Sequence, residues 1–178
     1  EVRPYYERLR RRRFQLILKR LFDLLMAIVM ITFFSIPMII VAIIIKMDSQ
    51  GPIFFRQERV TIYGEIFKIH KFRTMVNGAE KLGSGVTVKV DPRVTKVGRV
   101  LRKYRIDEIP QLIDIILGKM SFVGTRPEIP KYVKKYSKEM YATLLMPAGI
   151  TSEASIRFKD ESELLNGAED IDKLYEVQ

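Results

Sequence analysis

LLMAIVMITFFSIPMIIVAIII, residues 24–45, carries no charge, whereas Lys19, Arg20 and Asp23 precede it directly and Lys46 follows it. As a helix rising about 1.5 Å per residue, this run would measure roughly 33 Å, close to the ~30 Å hydrocarbon thickness of a bilayer. Length alone therefore reads as a membrane segment. Near its middle, Ser35-Ile36-Pro37 works against a straight helix, because proline removes one backbone donor and its ring crowds the carbonyl of Phe33. Two readings compete: a spanning helix with a tolerated proline, and a helix that enters the bilayer, breaks at Ser35 and Pro37, and returns. The flanks favour the second. Arg10 to Arg13 and Lys19-Arg20 stand before the run, and Lys46, Arg56 and Arg59 after it, so the positive-inside rule puts both ends on the cytoplasmic side. A lone span followed by a large basic domain on the far side remains the competing reading, since long domains translocate largely regardless of charge.

The chain has 178 residues, 47% hydrophobic and 29% charged, enough for one membrane segment and one domain of ordinary size. The expected division is a basic N-terminal segment with a re-entrant helix over 1–46 and a cytosolic, membrane-associated domain over 47–178. There is no cysteine, which excludes a disulfide scaffold, thiolate catalysis and Cys-ligated zinc. The apolar run is too long for a signal-peptide core and lacks a small-residue cleavage site after it, so it is read as a retained anchor. Net charge is +10, with a basic head over 1–20, a basic body, and an acidic tail over 160–178. Beside an anchor, such charge implies membrane phospholipid headgroups and a phosphorylated substrate as partners. The apolar run argues against nucleic acid, the other explanation of a pI near 9.8. The sequence leaves a homo-oligomer open. The lack of an initiating methionine and the abrupt end at Gln178 point to part of a longer chain.

The expected fold is mixed α/β and mostly helical. Gly51-Pro52 signals a turn, and two short β-rich runs predict a strand pair over about 53–60 and 66–73. Lys71 and Arg73 share one face at the end of the second strand. Residues 76–90, with Gly78, Gly83 and Gly85, read as a loop. KVGRVLRKY, 96–104, predicts a short basic amphipathic helix, and Asp107-Glu108-Ile109-Pro110 opens another that ends at Gly118. A further helix is predicted over about 128–145, and the acidic tail from Lys159 has helical spacing.

Arg105-Ile106-Asp107-Glu108-Ile109-Pro110-Gln111 is the sharpest candidate for chemistry. Acids before a proline are ordinary helix-start residues, with Asp107 as a cap. The same geometry suits phosphate, and a carboxylate kept ionised there can attack phosphorus as the nucleophile of a covalent phospho-enzyme. Its neighbour Glu108 could hold Mg²⁺. Lys71, Arg73, Arg99, Arg102, Arg105 and Arg126 are the cations available to clamp a diphosphate. The sole histidine, His70, lies mid-strand and is read as an ordinary strand residue rather than part of a Ser-His-Asp triad. No Gly-rich phosphate loop is present. Asp170-Ile171-Asp172 is read as a helix surface.

Taken together, Lys19-Arg20 with Asp23, Ser35 and Pro37 in the apolar run, GPIFFRQER (51–59), KFRTM (71–75), DPRVTKVGRVLR (91–102), RIDEIPQL (105–112), GKMSFVGTRP (118–127) and PAGIT (147–151) closely resemble the bacterial sugar transferases, the monotopic phosphoglycosyl transferases. The resemblance covers roughly residues 19–157. It implies transfer of a sugar 1-phosphate from a UDP-sugar to polyprenyl (undecaprenyl) phosphate, releasing UMP and initiating a surface polysaccharide or glycoconjugate. It implies that Asp107 attacks the β-phosphate and carries the phosphosugar, that Glu108 serves Mg²⁺, and that Lys71, Arg73 and Arg126 lie near phosphate. It also implies a helix that re-enters by breaking at Ser35-Ile36-Pro37, in a monotopic enzyme on the cytoplasmic face of the bacterial inner membrane. The rival readings are a non-catalytic polybasic membrane adaptor, and transfer by direct attack without a covalent adduct.

Three departures stand out. Thr61 replaces a usual glycine in the strand turn, and Thr125 replaces a usual proline. PAGITSEASIRF, with Ser152 and Ser155, lacks the Gly-Arg that commonly closes this loop, leaving Arg157 and Lys159 as candidate replacements.

Overall fold

A computed structural model describes residues 1–79 and 91–157, apart from the side chains of Ala154 and Ser155. Most of the 76–90 loop, the acidic tail and Lys159 lie outside the described residues. The arginine-rich start forms α1 (Arg3–Arg11), and α2 (Arg13–Asp48) carries the apolar run. Among the described residues, α2 alone is long and apolar enough to cross a membrane by length and composition.

The expected interruption at Ser35 and Pro37 is not seen as a helix end: α2 runs on with Pro37 inside it. Nearby hydroxyls bond back onto the same helix: Ser35 donates to the Thr32 carbonyl at 2.7 Å and Thr32 to the Ile28 carbonyl at 2.9 Å, which keeps these polar groups satisfied within the apolar run.

One stripe of α2 faces the rest of the protein. Ala27, Met30, Ile31 and Phe34 pack with Phe67, Ile69, Leu112 and Ile115, and farther along Met38, Val41, Ala42 and Ile45 pack with Phe72 and Leu101. The steps of three and four residues keep these side chains on one face. The other face, including Phe22, Leu25, Phe33, Ile36 and Ile43, is exposed and apolar. Polar ties fix both ends. Lys19 reaches Asp23 at 2.9 Å and also Ser121, whose hydroxyl donates to Asp23 at 2.7 Å. Arg20 donates to the carbonyls of Ile115 (2.7 Å) and Ile116. At the far end Arg73 donates to the carbonyls of Ser49 (2.7 Å) and Gln50.

β1 (Phe54–Val60) and β2 (Ile66–Phe72) form the expected antiparallel hairpin, in register from Phe54 with Phe72 to Val60 with Ile66. Thr61 at its turn is extended (φ −126°), so no glycine is required there. Its buried hydroxyl donates to the Lys119 carbonyl at 2.7 Å and accepts the Ala148 N–H at 3.1 Å. The positive φ values fall instead on Tyr63 and Gly64.

α3 (Lys96–Lys103) is the predicted basic helix, capped by Thr95, whose hydroxyl accepts the Gly98 N–H at 2.9 Å. The helix expected from Asp107 to Gly118 is divided: Ile106–Glu108 is a 3₁₀ turn, and α4 (Gln111–Ile116) begins only after Pro110. Proline suits the start of a helix and cannot donate inside one. The helix expected over 128–145 is likewise replaced by α5 (Pro130–Val133) and a 3₁₀ segment, Met140–Leu145. Between them Lys134, Lys135 and Lys138 would repel one another on a single helix face, and the Ser137 hydroxyl accepts the Met140 N–H at 3.3 Å. A second sheet, absent from the sequence reading, pairs β3 (Met120–Val123) with β4 (Ala148–Thr151) in parallel. α6 (Glu153–Arg157) follows.

Candidate active site

The 3₁₀ turn between α3 and α4 begins after Arg105, which adopts a left-handed conformation (φ 55°) uncommon for a non-glycine residue. This reversal turns Asp107 inward. Asp107 is 8% exposed, and its buried Oδ1 has no hydrogen-bond partner among the described residues. Burial pushes its carboxyl above the usual range; Lys71 opposes the rise, the neighbouring Glu108 charge adds to it, and Arg102 opposes it. The sequence reading expected a helix start to keep this carboxylate ionised, but a single short turn carries little dipole and desolvation dominates.

Glu108 behaves oppositely. Burial raises its pKa, but Lys71, through its charge and a hydrogen bond, and then Arg105 and Arg126 bring it below the usual value. Its Oε1 lies 3.0 Å from Lys71 Nζ and 3.5 Å from Arg105 Nη1. Two adjacent carboxyls pushed apart in this way suit different chemical roles.

The predicted cations are not all gathered here. Lys71, at the end of β2, and Arg105 meet Glu108. Arg126 pairs with Glu128 at 3.8 Å while remaining within the field of Glu108. Arg99 is exposed on α3. Arg73 is 5% exposed and turned to the end of α2, where its guanidinium holds the Ser49 and Gln50 carbonyls rather than the carboxylates. Arg102 takes a place nearer Asp107: its Nε donates to Thr74 at 2.8 Å, and burial lowers its pKa against the pull of Asp107 and Asp91. Gly98 makes that approach possible, since a Cβ there would collide with the Thr74 carbonyl.

Asp107 and Glu108 supply a free buried carboxylate oxygen and an adjacent carboxylate. That donor set fits Mg²⁺, which is held by one or two carboxylates together with substrate phosphates. No cluster of three metal-ligating side chains occurs among the described residues, so a cage made wholly of protein is not present there.

The departures from the expected motifs are accommodated locally. Thr125 donates to the Thr143 carbonyl at 3.1 Å, and its own carbonyl accepts the Gly149 N–H at 2.8 Å. Ser152 is buried at the end of β4. Arg157 pairs with Glu153 of its own helix at 2.6 Å. The residue that sequence reasoning passed over is Asp114 of α4, 1% exposed and bonded to His70. Its signal was an acid amid Leu112, Ile113, Ile115 and Ile116, where an unpaired charge is costly.

A family model described as bacterial sugar transferase matches residues 14–177. An Aeromonas hydrophila relative named UDP-N-acetylgalactosamine-undecaprenyl-phosphate N-acetylgalactosaminephosphotransferase is 40% identical over 143 residues, covering 78% of this chain and 34% of that protein. Two relatives are named UDP-glucose:undecaprenyl-phosphate glucose-1-phosphate transferase. The Escherichia coli K12 protein is 35% identical over 158 residues, covering 86% of this chain and 34% of its own length. The Caulobacter vibrioides protein is 37% identical over 142 residues, covering 78% and 53%. The chain thus spans about a third to a half of these relatives.

Proposed function

This chain belongs to the bacterial sugar transferase family, and from that premise we propose that it moves a sugar 1-phosphate from a UDP-sugar to undecaprenyl phosphate. The acceptor and donor classes are those in the names of its relatives, which differ in the sugar. The observation that carries the reading is Asp107, buried, with one carboxylate oxygen unpartnered beside the Lys71–Glu108–Arg105 cluster. In the proposed first step an Asp107 oxygen bonds to the β-phosphorus while the bond from that phosphorus to the bridging oxygen breaks, and UMP leaves with the electron pair. In the second, the lipid phosphate attacks the same phosphorus and Asp107 leaves as a carboxylate, ready for another cycle. Lys71, Arg105 and Arg126 orient and neutralise the diphosphate, with Arg102 near the nucleophile. Mg²⁺, held by Glu108 together with the substrate phosphates, would add positive charge against the phosphate oxygens.

We assign α2 to a re-entrant, monotopic arrangement, with residues 47–178 on the cytoplasmic face of the inner membrane, where UDP-sugars are made. Supporting this, both ends of α2 are tied to the same folded unit and one stripe packs on it from Ala27 to Ile45. A helix crossing to the far side would carry one of those ties away. A non-catalytic adaptor gives no reason to bury Asp107 without a partner, since such burial costs stability.

With Mg²⁺, undecaprenyl phosphate and either UDP-N-acetylgalactosamine or UDP-glucose, the native chain releases UMP and Asp107→Asn does not, at unchanged secondary structure. Full turnover by Asp107→Asn overturns the nucleophile. Because the chain has no cysteine, single cysteines placed before Arg20 and after Lys46 report topology directly. Labelling of both from the same face of sealed vesicles is expected, and labelling from opposite faces rules out re-entry.

A further inference from the structure

Among the described residues β2 pairs with β1 alone, so N–H groups along its other edge need acceptors outside that sheet. The N–H of His70 is met by the carboxylate of Asp114, which reaches over from α4 and accepts it on Oδ2 at 2.8 Å. The other carboxylate oxygen stands 2.7 Å from Nδ1 of the same residue's ring. On the ring's far side, Nε2 faces Arg56 Nη1 from β1. A carboxylate oxygen only accepts, so Nδ1 carries a proton and donates it to Asp114. One carboxylate, 1% exposed, therefore fixes both the main chain and the ring of His70.

This clamp joins the two supports of an ion pair in the site. His70 immediately precedes Lys71, whose Nζ lies 3.0 Å from Glu108, and Asp114 belongs to the helix that the Asp107–Glu108 turn leads into. Strand and turn approach from different parts of the chain, and the His70–Asp114 bonds cross that gap. We propose that Asp114, acting through His70, is a positioning residue for the Lys71–Glu108 pair. The proposal rests on the reading of that pair as part of the transferase site. Removing the clamp frees the end of β2 to shift against α4, and a displacement of an ångström at a phosphate clamp is enough to slow a reaction strongly.

The test uses the full chain in lipid nanodiscs. Reductive methylation of lysines, followed residue by residue by mass spectrometry, reports whether Lys71 is held, with no turnover involved. Lys71 is expected to label several-fold faster in Asp114→Asn, which preserves shape but sets an amide N–H against the Nδ1 proton, and in His70→Leu, which removes the ring. The same variants are expected to lose about 10–100-fold in kcat for UMP release, with the donor KM little changed. His70→Asn places an amide donor where Nδ1 stood and restores both readouts. Native labelling of Lys71 in Asp114→Asn and His70→Leu overturns the proposal, as does faster labelling with native kcat. A native chain that releases no UMP sinks the proposed reaction instead, and the labelling alone then decides the clamp.

Discussion

Asp107 and Glu108 are neighbours whose pKa values shift in opposite directions, because Asp107 is buried with a free oxygen whereas the half-buried Glu108 is paired with Lys71 and Arg105. The consequences for stability have opposite signs. Asp107, with its folded pKa raised, favours folding when protonated, and that contribution is lost as pH rises through the folded value. Glu108, with its folded pKa lowered, contributes stability above its unfolded value, and this is lost as pH falls through the folded one. At pH 7 Asp107→Asn is therefore expected to raise the melting temperature, by about 2–4 °C for each kcal/mol recovered. Glu108→Gln is expected to lower it. Thermal melts of both variants check the pair, and a fall for Asp107→Asn contradicts the burial argument. The reaction is expected to show the same imprint. With Asp107 as the proposed nucleophile, release of UMP by the donor alone is expected to increase with pH through an acid limb lying above the ordinary carboxylate range, because the proposed attack needs the ionised carboxylate.

At the scale of elements, the segments are held together by single polar side chains as much as by apolar packing. Thr61 joins the hairpin turn to the start of β3 and the start of β4 through one hydroxyl. Thr61→Val keeps the shape and β-branching but leaves the buried Ala148 N–H unsatisfied, which is expected to cost about 1–3 kcal/mol in denaturant unfolding. A loss within error would show that the hydroxyl does not join these strands. The elements whose signals are local were legible in the sequence: the hairpin from its β-rich runs, α3 from its basic amphipathic pattern, and the acidic pair from its place before Pro110. The parallel pairing of β3 with β4 was not, because Met120 and Ala148 are distant in sequence and each strand is too short for periodicity. Arg73 shows the same limit within the site. Its position on the strand suggested phosphate, but the uncapped carbonyls of Ser49 and Gln50 claim it, and that demand becomes visible only when α2 and β2 are placed side by side. The 128–145 segment was misread because its apolar spacing suggests one helix, while Lys134, Lys135 and Lys138 divide it.

Across the described residues, α2 leaves one apolar face exposed and packs the other on the domain carrying Asp107, so the site is built directly onto the long apolar helix. In the proposed reaction, an acceptor with a long apolar chain would offer its phosphate to Asp107 without leaving the bilayer, while the water-soluble UDP-sugar would arrive from the aqueous side. The proposed path has two half-reactions at one carboxylate, with the donor discharged before the lipid is engaged. Intact-protein mass spectrometry after donor alone, with no lipid acceptor, reads the covalent step itself. An added mass of one phosphosugar is expected on the native chain, absent from Asp107→Asn and discharged when undecaprenyl phosphate is supplied. A native chain that turns over fully with lipid yet never carries that mass, or an Asp107→Asn chain that does carry it, rules out an intermediate on Asp107.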